Sequence, residues 1–350
     1  MLDVEAMVPL VGAWLTANVR PATVRRYEIM TGGFSRVMAR VEVEWHDGGT
    51  EVFVLRGDPP PELATLDSDR DLEWALLSDL TRNATVPVPA GRWYVADASH
   101  FGSKALFIEH VPSRTLQAEL DDGLDHAATA TRLADLMAQV ASVTPERVPS
   151  LACPPSWDGY IDAKIAAWQR MADDHVEAVP IIQYLTSWMD ANRPQPLPFR
   201  LVHGDLQAAN VLVTPEGDWH VIDWEFAHIG DPREDLGYYN AYSGAVPPNL
   251  AANDLETFLA RFRATSGFGA DAVNATTFAW FTILSTLSAV AGLHAGVAGI
   301  ANGTKRGTAV AYNSIITTVG YRNFLDAIAA LEGATDAPAT PAADPAGSAP

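Results

Sequence analysis

The chain has 350 residues, nearly half of them apolar, and sets 43 acidic against 23 basic side chains for a formal net charge of −20. That length suits two domains or one bilobal unit. The charge excludes a nucleic-acid partner, which needs clustered Lys and Arg, and leaves a cationic ligand and plain solubility as equal readings. The single cysteine, Cys153 in "LACPPSW", cannot close an internal disulfide and fits a reducing, cytoplasmic setting. Asp3 and Glu5 stand where a signal peptide would be basic.

Residues 24–110 read as β-rich. "RYEIM", "VMARVEVEW" and "TEVFVLR" are expected strands; in the second, Val41, Val43 and Trp45 alternate with Arg40, Glu42 and Glu44, the period of a half-buried strand. "TGGFS" joins the first two, and "HDGG" closes a tight hairpin. "SDRDLEWALLSDL" is an expected helix with Ser68 and Asp71 at capping-box spacing. "AGRWYVA" and "KALFIEH" return as strands.

From Ser113 the pattern turns helical: "DHAATATRLADLMAQVASV", "YIDAKIAAWQRMADDHV", "PIIQYLTSWMDAN", "NDLETFLARFRATS" and "AVAYNSIITTVGYRNFLDAIAALE". Ala272 to Thr304 carries no charge and could span a bilayer by length. Its recurrent Ser and Thr, His294 and the lack of a strongly basic flank favour a buried helix or helix pair, with Trp280, Ile283, Leu284 and Leu287 at helical spacing, so no membrane partner is expected. The tail 334–350, rich in Pro, Ala and Asp, is expected to be disordered.

One hairpin interrupts the helices, in "LVHGDLQAANVLVTPEGDWHVIDWEF". With Pro215 to Asp218 as its turn, Thr214 faces Trp219, Val213 faces His220, and Asn210 faces Asp223. An amide oxygen and a carboxylate then converge, hard ligands of the kind Mg²⁺ takes alongside phosphate and water. Asp205, five residues before Asn210, can accept a proton from a hydroxyl attacking such a phosphate. Singly, Asp205 reads as a turn cap and Asp223 as a strand end. Their joint spacing with His203 and Asn210 is that of a kinase-type catalytic loop followed by a metal-binding aspartate.

"HGDLQAANVL" followed by "VIDWEFAHIGDPREDLG" resembles the aminoglycoside phosphotransferase family, over most of residues 25–330. The resemblance implies an α+β, bilobal protein-kinase-like fold: a small antiparallel β-sheet lobe with one helix (1–112, nucleotide-binding) and a larger, mainly α-helical lobe (113–333, catalytic and substrate-binding). It implies Asp205 as catalytic base, Asn210 and Asp223 as Mg²⁺ ligands, and His203 as structural support. Asp235 is either a brace of the catalytic loop or a plain helix N-cap. ATP is the expected donor, with GTP left open. "TGGFSR" would lay Gly32, Gly33 and Ser35 over the phosphates, although a Gly pair fits an ordinary turn as well.

Arg56, in "FVLRGDPP", stands where the commonest pattern has Lys; it keeps the charge with a different grip on phosphate. Glu73 shares a helical stripe with Leu76, Leu77 and Leu80 and is expected to pair with Arg56, because an unpaired acid on an apolar face is costly. "FIEHVPS" would be the hinge.

The expected acceptor is a small-molecule hydroxyl. The helices around "YIDAKIAAWQRM" and "YLTSWMDANRP", with Arg in place of Lys, are similar to kinase-like domains fused to acyl-CoA dehydrogenases, a subgroup associated with hydroxyacyl substrates. The net charge leans toward a cationic amino sugar instead. Trp157, Tyr160, Trp168, Tyr238, Tyr239 and Tyr242 are aromatic candidates for acceptor contact, though each alone reads more readily as core. Two other readings are a catalytically weak kinase-fold binding protein, motivated by Arg56, and a metallohydrolase on His203, Asp205, His220 and His228.

Overall fold

The computed structural model describes residues 3–30, 37–58, 69–83, 86–173, 180–244 and 246–286, with Gly303, Leu325, Ile328 and Ala329 beyond. The tail 334–350 and most of the last expected helix lie outside the described residues. The chain opens with α1 (Val4–Asn18), a helix the sequence reading did not assign. Its signals are physical: the Asp3 carboxylate accepts from the Ala6 amide, and Met7, Val11, Trp14 and Leu15 form one buried stripe. Among the described residues the small lobe therefore holds two helices rather than one.

Strands β1 (Ala22–Met30), β2 (Val37–Trp45) and β3 (Thr50–Gly57) follow. Then come α2 (Arg70–Asn83), β4 (Gly91–Val95) and β5 (Ala105–Glu109). The strands form one antiparallel sheet in the order β1-β2-β3-β5-β4. Along β2 every second residue is buried, as its alternation requires. Ala39, Val41, Val43 and Trp45 pack with Phe53, Leu55, Phe107 and the stripe of α1, where Trp14 stacks on Phe107 at 5.3 Å between ring centroids.

The α2 cap differs from expectation: the Asp69 carboxylate accepts from the amides of Asp71 and Leu72, and Ser68 lies outside the described residues. Asp69 sits one residue closer to the first turn, where the orphan amides are. Leu76 and Leu80 of α2 join the core of the large lobe, so this helix couples the two lobes.

Residues 110–113 lead to β6 (Arg114–Thr115), α3 (Leu116–Asp121) and α4 (His126–Val140). After these run α5 (Trp157–Asp173), α6 (Pro180–Ala191), β7 (Arg200–Val202), β8 (Val211–Val213), β9 (Trp219–Val221) and β10 (His228–Gly230). Helices α7 (Glu234–Ser243), α8 (Leu250–Asn253) and α9 (Leu255–Ser266) complete the order, with a further helical run at 275–286. Leu133 and Met137 of α4 pack on Phe258, Leu259 and Phe262 of α9 and on Leu201, Val211 and Val221.

Within the uncharged stretch, Trp280, Ile283 and Leu284 are buried against Ile161, Ile165, Leu185 and Met189; Leu287 and His294 lie outside the described residues. Among the described residues no helix is long and apolar enough to cross a membrane.

The central hairpin is offset by one residue from the expected pairing. Val213 faces Trp219, Leu212 faces His220, and Val211 faces Val221. The loop spans 214–218: the Asp218 amide donates to Thr214 Oγ1, the Gly217 amide to the Thr214 carbonyl, and Gly217 adopts φ 89°. That left-handed glycine adds a residue to the turn. Asn210 consequently pairs through its carbonyl with the Ile222 amide at 3.0 Å, and Asp223 stands one residue past it.

Helix α7 lies so close to the 275–286 run that a Cβ on Gly237 would meet the Phe281 carbonyl carbon at 2.2 Å. Backbone cannot yield as a side-chain tip can. Gly237→Ala is expected to cost about 2–3 kcal/mol, the upper range for overpacking, read as a lowered urea midpoint at unchanged m-value.

Candidate active site

Strand β7 delivers the chain into the loop at His203. The amides of His203 and Gly204 donate to the two oxygens of Asp235, at 2.8 and 2.9 Å. Asp235 thus ties the loop to the first turn of α7, while Arg233 occupies the helix N-cap position. Burial pushes the Asp235 carboxyl up to about 6, against the pull of those two amides.

Gly204 has φ 81°, and a Cβ there would lie 2.6 Å from the Phe226 carbonyl oxygen. His203 is fully buried beside Trp224. Its Nδ1 accepts from the Asp205 amide at 3.1 Å, which assigns the ring proton to Nε2, donating to the Ile222 carbonyl at 2.9 Å. Desolvation lowers its pKa to about 4. A neutral imidazole therefore pins the loop to the far end of the hairpin.

Asp205 sits at the centre of a donor set. Its Oδ1 accepts from Gln207 Nε2 at 2.9 Å and from the Tyr238 hydroxyl; its Oδ2 accepts from Asn210 Nδ2 at 2.7 Å. Burial pushes Asp205 up to about 6, and these hydrogen bonds pull it back. Asn210 Nδ2 also donates to the Asp205 carbonyl at 2.9 Å, which turns the amide oxygen away from the acid. Among the described residues, Asp223 is the one non-glycine with positive φ, 68°. A left-handed, non-glycine residue is a strained choice that the surroundings must hold.

Arg56 does that holding. Its buried guanidinium ion-pairs with Asp223, reaches Glu73 at 3.3 Å and lies 3.6 Å from Glu225. Desolvation works against its charge, but Glu73 and Asp223 outweigh that and hold it more firmly protonated than usual. Arg70 grips the second oxygen of Glu73 and bonds Asp58 at 2.9 Å.

A cavity of about 40 Å³ lies here between the lobes, walled by Leu77, Ile108, Val221 and Ile222 beside Arg56 and Asp223. The larger concavity, about 480 Å³, is behind the hairpin against Arg132, Asp135 and Trp219, and of the expected site residues it contains only His220 of the hydrolase reading. The smaller one is lined by the expected site residues Arg56, Glu73 and Asp223.

Arg56, Glu73, Asp205, Asn210, Asp223, His203 and Asp235 are thus gathered by these contacts, while Gly32, Gly33 and Ser35 lie outside the described residues. Among the described residues no three His, Cys, Asp or Glu side chains come together as metal ligands. Of the residues in the hydrolase reading, His203 has both nitrogens committed, and His228 lies 3.3 Å from Glu234.

Three site features went unread in the sequence. Tyr238 was placed only among aromatic candidates, yet it touches Asp205; its signal is the i+3 spacing from Asp235, one turn along the same face of α7. Gln207 and Glu225 carried no such signal. Of the other aromatics, Trp157 donates to Asp231, Tyr160 to Glu234, and Tyr239 accepts from the Leu250 amide, all structural tasks; the Trp168 side chain lies outside the described residues.

A five-stranded antiparallel lobe, a helical lobe, and an aspartate loop followed by a hairpin and a second aspartate define a protein-kinase-like fold. Residues 23–271 match the profile of the phosphotransferase enzyme family, and the chain belongs to that family, whose enzymes move a phosphoryl group to a hydroxyl acceptor.

The solved GDP complex of aminoglycoside 2'-phosphotransferase-IIIa superposes with a TM-score of 0.62 at 16% identity, covering 94% of this chain and 99% of that one. Macrolide 2'-phosphotransferase MphH from Brachybacterium faecium gives 0.61 at 20% identity, covering 89% and 97%. At such identities the likeness is one of fold. Acyl-CoA dehydrogenase family member 11 from Homo sapiens is 27% identical over 206 residues, 55% of this chain and 26% of that protein. The chain spans about a quarter of the length of that relative.

Removing Arg56 takes away the buried cation that pairs with Glu73 and Asp223. Arg56→Ala is therefore expected to cost about 3 kcal/mol, the low end for breaking a buried ion pair, measured by urea unfolding. In an NMR imidazole titration, His203 is expected to remain mostly neutral at pH 5, where an imidazole of pKa about 6.5 is charged.

Proposed function

We propose that the chain is an ATP- and Mg²⁺-dependent kinase of a small-molecule hydroxyl, with Asp205 as the base. The observation that carries this reading is the Asp205 carboxylate, held by three side-chain donors and linked through Asn210 to the hairpin that bears Asp223. Held in this way, Asp205 can take the proton of an alcohol as its oxygen attacks phosphorus. Its raised pKa suits that exchange, since proton transfer is easiest when donor and acceptor are matched.

The residues present fit the groups this chemistry uses. Asp223 and Asn210 offer hard oxygens, and Arg56 Nε is buried without a hydrogen-bond partner among the described residues, a donor suited to a phosphate oxygen. Bound at Asn210 and Asp223, Mg²⁺ would offset the charge of the transferred phosphoryl group. Glu73 holds Arg56 in place, and Asp235 with His203 holds the loop. GTP stands as the alternative donor, supported by the GDP in the 2'-phosphotransferase-IIIa complex.

Of the two acceptor classes, a hydroxyacyl compound is better supported than an amino sugar. Acids near the loop already have cations: Glu234 pairs with Lys164 and Asp231 with Arg233, both at 2.7 Å. A polycationic acceptor would find these carboxylates taken, whereas Tyr238 and Tyr242 offer aromatic surface. The acyl-CoA in the human relative's name points the same way. The proposal includes a cytoplasmic setting, consistent with the exposed, unpaired Cys153.

The second reading, a kinase-fold binding protein, draws its support from the Arg56–Asp223 ion pair, which sets a cation against the expected metal ligand.

Calorimetry with ATP and GTP, with and without Mg²⁺, separates the two. Mg²⁺-dependent binding to the wild type that is lost in Asp223→Ala supports the kinase. Binding indifferent to Mg²⁺ supports the second reading. Asp205→Ala is expected to lower turnover about 10²–10⁴-fold, the usual worth of a general base, with nucleotide affinity nearly unchanged; turnover retained in that variant would sink the assignment.

A further inference from the structure

Helix α7 turns two tyrosines, Tyr238 and Tyr242, toward the catalytic loop, and they differ from the residue between them in the same turn. Tyr239 is 1% exposed, and its hydroxyl is anchored at the Leu250 amide. Tyr238 and Tyr242 are only partly buried and stack nearly parallel, 6.2 Å between centroids at 15°. The Tyr238 hydroxyl has one partner among the described residues, Oδ1 of Asp205.

That bond has a chemical meaning. An alcohol that is to be phosphorylated must present its O–H to a carboxylate oxygen of the base. Tyr238 presents an O–H to that carboxylate already. The remaining lone pairs are largely committed as well, because Gln207 Nε2 holds Oδ1 and Asn210 Nδ2 holds Oδ2. A carboxylate has room for about four such bonds, so three of them are filled by the protein itself. Gln207 and Asn210 are each 8% exposed and enclosed by the loop. Tyr238 is the donor that can leave, since it is partly exposed and its hydroxyl has, among the described residues, this one partner.

We propose that Tyr238 is a stand-in for the acceptor hydroxyl: it occupies the acceptor's place on Asp205 in the free protein and yields that place when an alcohol arrives. The inference rests on the kinase reading above. The exchange is balanced, one O–H donor for another at the same oxygen. In the transfer that follows, the alcohol oxygen bonds to the terminal phosphorus and its proton goes to Asp205. The bond from phosphorus to the bridging oxygen breaks, and its electron pair departs with the nucleoside diphosphate.

Tyr238 cannot itself complete that sequence while its ring stays stacked on Tyr242 and its oxygen stays on the acid. Its second effect is to keep water from the same oxygen. A kinase whose base is open to water would hydrolyse its donor; one whose base is covered by a phenol waits for its acceptor. The pair of rings then remains as one wall of the acceptor site.

Water is the probe acceptor for the test. Tyr238→Phe keeps the ring and the stack and removes only the O–H. The expected result is a rise of about tenfold in MgATP hydrolysis without any added acceptor, the factor that a hydrogen bond to a charged group of about 1.4 kcal/mol represents. ATP affinity by calorimetry and the urea midpoint should stay near wild type.

The rise should vanish in the double variant Asp205→Asn/Tyr238→Phe, because the water is activated at Asp205. Hydrolysis that is unchanged or lower in Tyr238→Phe, at wild-type ATP affinity, would overturn the inference and leave the kinase reading standing. A wild type that binds neither MgATP nor MgGTP would remove that reading, and the inference with it.

Discussion

The guanidinium of Arg56 is the constraint on which the arrangement depends. It is buried at the junction of three elements: β3, which carries it; α2, which supplies Glu73; and the segment after β9, which supplies Asp223 and Glu225. A buried charge is costly unless it is paired, so these elements cannot drift apart without exposing an uncompensated ion. The coupling runs further through α2. Its acid faces the small lobe's cation, while Leu76 and Leu80 belong to the core of the large lobe. The helix is a strut between the lobes, and Arg70 keeps Glu73 turned toward Arg56. An Arg at this position reaches several carboxylates through its fork, which a single ammonium would not do in the same geometry.

The loop that carries Asp205 is organised by a second principle, the satisfaction of backbone amides that no strand or helix serves. His203 and Gly204 lie between β7 and the hairpin, where their amides would be orphaned; Asp235 accepts both. This places α7 against the loop, and the helix can come that close because Gly237 offers no side chain to the backbone of Phe281 and Thr282. Tyr238 reaches Asp205 as a consequence, one turn along from the anchoring acid. The same packing that braces the loop therefore delivers the hydroxyl that covers its aspartate.

Much of the fold was legible because its elements are local. The alternation of β2, the stripe of α2 and the Gly-rich turn after β2 are patterns of a few residues, and the structure repeats them. Helix α1 is legible too, in Asp3 and the spacing of Met7, Val11, Trp14 and Leu15. The hairpin register was not legible to one residue. A count along the chain assumes a turn length, and the left-handed Gly217 lengthens this one. In a strand pair, a slip of one residue moves every side chain to the other face. Here Asp223 leaves the ladder and turns through its own positive φ toward Arg56, a contact that the register count did not contain.

By itself the sequence determined the chemistry available: an aspartate five residues before an asparagine, a second aspartate past a short hairpin, and an arginine ending a strand with an acid on the next helix. These are short separations along the chain, set by covalent connectivity and the periods of strand and helix. Only the tertiary structure decided which of these groups meet. The joining of Arg56 to Asp223 spans 167 positions and that of Tyr238 to Asp205 spans 33. Such contacts depend on how helices pack and how buried charges are neutralised. Those are properties of the whole folded chain, and no local pattern of residues encodes them.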